Sequence, residues 1–171
     1  MNKALKMLGC TLLAAVAFSF AYQAKAQDPP PAGGFKNAYL SLNKSGKVVL
    51  TYTLWDDQVK KGNYTLCFFW ASWSDEAREE VPYIQAIYKK YAGKVKVLGV
   101  TYGDEIQDSM DAIPEWGMTF PSLVFVEDAP PDGRFDIDSL PLVILFGPDG
   151  NIVARDLRGE EIEEKVGEVI R

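Results

Sequence analysis

The chain has 171 residues, with 18 Lys and Arg against 24 Asp and Glu, no His and 2 Cys. That length holds one ordinary domain, a net charge of −6 speaks against a nucleic-acid-binding basic face, and 47% apolar with 25% charged residues excludes wholesale disorder. Without His there is no Ser-His-Asp or Cys-His nucleophile, no His-ligated zinc and no imidazole proton switch, and two Cys cannot build a Cys-only zinc site.

Residues 1–26 read as an export signal. Lys3 and Lys6 give a positive start, Leu8 to Tyr22 is mostly apolar, and Ala24-Lys25-Ala26 is an A-x-A cleavage site. The competing readings are lipidation at Cys10 and a retained N-terminal anchor. Cleavage after Ala26 predicts a periplasmic or extracellular protein with no stable membrane span. It removes three lysines and leaves 15 basic against 24 acidic residues, a net charge of −9. It also removes Cys10, so Cys67 remains as the single thiol.

Residues 27–37 form the expected leader, opening with Gln-Asp-Pro-Pro-Pro-Ala-Gly-Gly, and residues 38–171 the expected domain. Tyr39 to Leu42 and Val48 to Leu54 predict two strands joined by a turn at Asn43-Lys44-Ser45-Gly46. Tyr64 to Trp70 is a continuous apolar run, the pattern of a strand covered on both faces. A helix follows. Ser74 is placed to cap it, Asp75 and Glu76 suit its dipole, and Val81, Ile84, Tyr88 and Tyr91 make its stripe. Pro82 lies inside and predicts a kink.

Val95 to Tyr102 predicts a second buried strand. Asp104 to Trp116 is weakly helical and broken by Pro114, and Ser122 to Val126 is a short strand. Glu127 to Asp138 reads as an acidic loop. Its acids lack the ladder of a calcium loop, and a solvated loop is the expectation. Leu142 to Phe146 and Ile152 to Ala154 predict a hairpin around Pro148-Asp149-Gly150-Asn151. A final helix after Gly159 buries Ile162, Val166 and Val169. This order means one α/β domain with a mixed sheet.

The stretch Phe69-Trp70-Ala71-Ser72-Trp73-Ser74-Asp75-Glu76-Ala77-Arg78-Glu79-Glu80-Val81-Pro82 resembles the active-site segment of the TlpA-like thioredoxins, which reads F-W-A-x-W-C-x-x-C-R before an acidic or polar pair and a proline. Those proteins are exported thiol–disulfide oxidoreductases. Gly117 to Pro121, Ser139-Leu140-Pro141 and Leu145 to Val153 are similar to later segments of the family. The resemblance implies a thioredoxin-like α/β fold, a central mixed sheet flanked by helices with an N-terminal β-hairpin. It also implies a cis peptide before Pro141.

The same resemblance puts the two family cysteines at Ser74 and Ala77. Thiol–disulfide exchange needs a thiolate to attack a disulfide sulfur, and a serine hydroxyl forms no mixed disulfide. Asp75 and Glu76 would also oppose an anion at position 74. The degenerate stretch Trp73-Ser74-Asp75-Glu76-Ala77 therefore predicts no catalytic residue, no metal and no organic cofactor. The leading expectation is a non-catalytic binding module of the cell envelope that holds an extended peptide or protein partner with Trp73, Ser74, Leu140 and Pro141. Residual thiol chemistry or mixed-disulfide formation through Cys67 is the enzyme-class alternative. A structural partner subunit of a redox-active homologue is the third reading.

Overall fold

The computed structural model describes residues 36–59, 62–125 and 135–170, and the side chains of Lys36 and Phe125 lie outside that description. The predicted signal, most of the leader, and Val126 to Arg134 of the strand end and acidic loop lie outside the described residues.

Seven strands form one mixed sheet. In chain order they are β1 (Lys36–Leu42), β2 (Val48–Leu54), β3 (Tyr64–Trp70), β4 (Val95–Thr101), β5 (Ser122–Phe125), β6 (Leu142–Phe146) and β7 (Ile152–Arg155). Their order across the sheet is β2-β1-β5-β4-β3-β6-β7. The central strands β3, β4 and β5 run parallel, and β1 and β6 pair antiparallel on either side. The N-terminal hairpin pairs Lys36 with Leu54 through Leu42 with Val48. Asn43 closes it, its side chain accepting from Ser45 N at 2.9 Å and Lys47 N at 3.0 Å. Strand β1 starts before its predicted first residue, Tyr39. Lys36 and Asn37, expected in the leader, pair with β2, and Asn37 also pairs with Phe125 of β5.

Helices α2 (Asp75–Lys90) and α3 (Ile106–Glu115) are the crossovers of the parallel strands, and α4 (Glu160–Val169) closes the chain. A short helix that the pattern did not predict, α1 (Trp55–Gln58), follows β2. It is one turn long, below the length at which periodicity is visible. Two right-handed crossovers that step the same way across the sheet put α2 and α3 on the same face. Side chains alternate along β3 accordingly. Leu66, Phe68 and Trp70 join a core with Val81, Ile84, Ile113 and Val166 of the three long helices. Cys67 and Phe69 point the other way, into an aromatic cluster with Trp55, Phe135 and Phe146.

Both prolines expected to disturb helices are accommodated. Helix α2 runs unbroken through Pro82, which sits on its exposed side, and Pro114 falls in the last turn of α3. A proline removes one backbone donor, and that loss matters least where the helix is ending or wet.

Candidate functional site

The candidate site is the turn that carries β3 into α2. At the end of β3, Trp70 is fully buried, and its indole N–H donates to Ser122 Oγ at 2.8 Å. Gly99 leaves room for that bond, because a Cβ there would lie 2.3 Å from Ser122 Oγ and 2.9 Å from Trp70 Nε1. The Trp70 ring also packs on Trp116, with centroids 5.2 Å apart. Arg78 lies 6.0 Å over Trp116 and pairs with Glu115 at 3.2 Å.

The turn itself is gripped from the end of β4. Ser72 donates its backbone N–H to Asp104 Oδ2 at 2.7 Å and its hydroxyl to Oδ1 at 2.8 Å. Ser109 of α3 donates to the same carboxylate at 3.0 Å. The Trp73 indole N–H donates to the Gly103 carbonyl at 2.9 Å, while 65% of the residue is exposed. With its N–H taken, Trp73 offers solvent an apolar ring and a π-face.

Ser74 faces inward. It is 3% exposed, and its hydroxyl accepts from Ala77 N at 3.1 Å, as the predicted cap should. Ala77 is fully buried, while Asp75 and Glu76 are exposed in the first turn. Of the predicted binding set, Ser74 is thus a covered residue whose Oγ takes part in the cap of α2.

The Leu140–Pro141 peptide bond is cis. The register Phe69 to Leu142 brings the chain before Leu142 and the chain after Phe69 to the same end of the sheet. Pro141 is buried and its carbonyl accepts from Arg158 Nη2, while Leu140 is half-buried against the aromatic cluster. Of the predicted binding set, Trp73 is open, Leu140 partly so, and Ser74 and Pro141 are covered.

Cys67 lies in the middle of β3, between Leu98 of β4 and Ile144 of β6. It is fully buried. Burial pushes its thiol far up, and Lys96 pulls it down only weakly against that. A reachable, acidified thiol is what the Cys67 alternative needs, and the structure seals this one.

Asp104, Gly103 and Arg158 are the residues of this site that sequence reasoning missed. An acid and a glycine just after a buried strand are a weak signal, and nothing local marks Arg158. Among the described residues, no group of three or more His, Cys, Asp or Glu side chains is placed to hold a metal.

The sheet order, the β3–turn–α2 unit and a cis-proline at the same end of the sheet define a thioredoxin-like domain. No family model matches the chain. It is 27% identical to thiol-disulfide oxidoreductase ResA of Bacillus subtilis over 94 residues, 54% of this chain and 52% of that protein. To the thioredoxin-like protein YneN of the same organism it is 26% identical over 115 residues, 64% of this chain and 66% of that protein. The chain thus spans between half and two thirds of these relatives. Among solved structures, a thiol:disulfide interchange protein from Bacteroides sp. superposes with a TM-score of 0.62 at 26% identity, covering 82% of this chain and 90% of that one. The thioredoxin domain of a thiol-disulfide oxidoreductase from Bacteroides vulgatus gives 0.60 at 24%, covering 83% and 99%. Together these similarities support a relation to the TlpA-like branch of the thioredoxin superfamily.

Proposed function

We propose that this is an exported, thioredoxin-like protein that binds a partner's extended segment at the Trp73 turn and performs no thiol exchange there. One contrast carries the reading: the Ser74 hydroxyl is spent capping α2, while the adjacent Trp73 ring stays open. A scaffold that keeps the turn, its Asp104 clamp and the Leu140–Pro141 loop, but has no sulfur at either motif position, retains recognition without the chemistry. The basic start, apolar run and Ala24-Lys25-Ala26 support export, and no helix among the described residues is long and apolar enough to cross a membrane.

The test is to recover the protein from the envelope of its own host, immobilise it, and pass an envelope extract over it beside a Trp73→Ala bait. An N-terminus at Gln27 and partners kept by wild type but lost by the variant are the expected result. Equal retention by both baits would overturn the assignment to the turn. A retained homologue with an intact cysteine pair would favour the partner-subunit reading.

A further inference from the structure

Helices α2 and α4 enclose a groove of about 720 Å³ on the face away from the aromatic cluster. Tyr83 of α2 and Tyr91, which caps its C-terminus, form one wall, and Glu160, Glu163 and Glu164 of α4 form the other. Two glycines line it. A Cβ at Gly167 would come within 3.4 Å of Tyr91 Oη, and one at Gly159 would touch the Tyr83 ring at 3.8 Å. Glu80 accepts from the Gly159 N–H, which fixes one end of the groove.

The chain's own lysine shows what these walls accept. Lys90 donates to Glu163 and lies 5.6 Å over the Tyr91 ring, so one ammonium is shared between a carboxylate and an aromatic face. Along the same groove, Tyr83 is 42% exposed, and Glu160 and Glu164 are exposed. Among the described residues, neither of these two acids is ion-paired to a Lys or Arg. Tyr83, Glu160 and Glu164 line the same groove and so repeat the residue types of that contact, an aromatic ring and carboxylates.

We propose that this groove docks a partner segment carrying lysine or arginine, with one cationic side chain over Tyr83 and between Glu160 and Glu164. Charge complementarity selects this occupant: of the three carboxylates lining the groove, Lys90 engages Glu163, while Glu160 and Glu164 have no Lys or Arg ion pair among the described residues. An acidic or purely apolar segment would leave those carboxylates opposed or desolvated. The site is separate from the Trp73 turn and does not rest on the function proposed for it.

The probe is a fluorescein-labelled, end-capped peptide of alternating Lys and Ser, with its Glu-for-Lys counterpart as control. Binding is read by anisotropy at low salt and mapped by amide shifts in NMR spectra of the intact protein. Saturable binding of the lysine peptide alone is expected, with shifts gathered at Ala86, Gly159 and Gly167. Glu160→Gln with Glu164→Gln should weaken it roughly fivefold. Tyr83→Ala should weaken it roughly threefold, and Tyr83→Phe, which keeps the ring, should not. Asp75→Asn with Glu76→Asn makes the same charge change outside the groove and should leave affinity within about twofold. Failure of the lysine peptide to bind, equal weakening by the two charge-removing pairs, or wild-type affinity in Tyr83→Ala would each overturn the proposal. Amide shifts gathered instead at the Trp73 turn would overturn the proposal and assign the peptide to that turn.

Discussion

Cys67 and Ser74 lie on one stretch of chain, the middle of β3 and the turn that leaves it, in opposite surroundings. Cys67 carries the sulfur but is walled in by β4, β6 and the aromatic cluster. Ser74 stands at a helix N-terminus beside an exposed tryptophan, at the end of the sheet that also carries the cis-proline, but carries oxygen. A thiolate forms where a helix end, a cation or water supports the negative charge. It is suppressed where burial strips the anion of solvent. Thiol chemistry in this fold is therefore a property of a place as much as of an atom.

The largest effect should come from putting sulfur back in that place. The double variant Ser74→Cys with Ala77→Cys should reduce insulin disulfides with dithiothreitol as electron source, at a rate roughly tenfold or more above the reagent alone. The thiolate at position 74 would attack a disulfide sulfur and release one thiol, and the thiol at position 77 would then displace the other. Ser74→Cys alone should trap mixed disulfides without turnover. No reduction by a folded double variant would mean that Asp75 and Glu76 have changed the turn beyond the loss of two sulfurs.

The buried member of the pair predicts a stability effect. Cys67→Ser places a hydroxyl among apolar neighbours and should cost about 2 kcal/mol in denaturant unfolding. In native protein a thiol reagent should leave Cys67 unmodified until the chain unfolds. The thiol also sets a pH dependence. Its folded pKa is raised, so the folded state keeps the proton after the unfolded chain has lost it. Stability is therefore full below about pH 8.5, the unfolded thiol's range, and falls as pH rises above it by about 1.4 kcal/mol per unit. Cys67→Ala should remove that part of the slope. A slope unchanged by the substitution would show that Cys67 is not the group responsible.

Much of this contrast was legible in the sequence. A continuous apolar run marked β3 as covered on both faces, which already hid Cys67. Ser74 followed by two acids read as a cap because the capping bond is local, spanning three residues. The clamp was not legible. Asp104 reaches Ser72 across 32 positions and Arg158 reaches Pro141 across 17, and distances of that kind are set by the sheet order, which no local pattern encodes. Nor was the burial of Ser74 legible, since the cover over a side chain is also set by elements distant in sequence. The short helix α1 went unseen because one turn carries no periodicity.

The smallest effect tests Ser74 itself. Ser74→Ala removes the acceptor for the Ala77 N–H and nothing else that is exposed, since the side chain already faces inward. Asp75 and Glu76 still complement the helix dipole, and the turn remains held through Ser72 and Trp73. The loss should be that of one cap, about 1 kcal/mol by urea unfolding. Partner retention at the turn should be unchanged, because Trp73 keeps its bond to Gly103. A larger loss of partner than of stability would put the Ser74 hydroxyl in the recognition surface after all. An unchanged stability would mean that Ala77 N finds another acceptor, and that the serine has no structural task of its own.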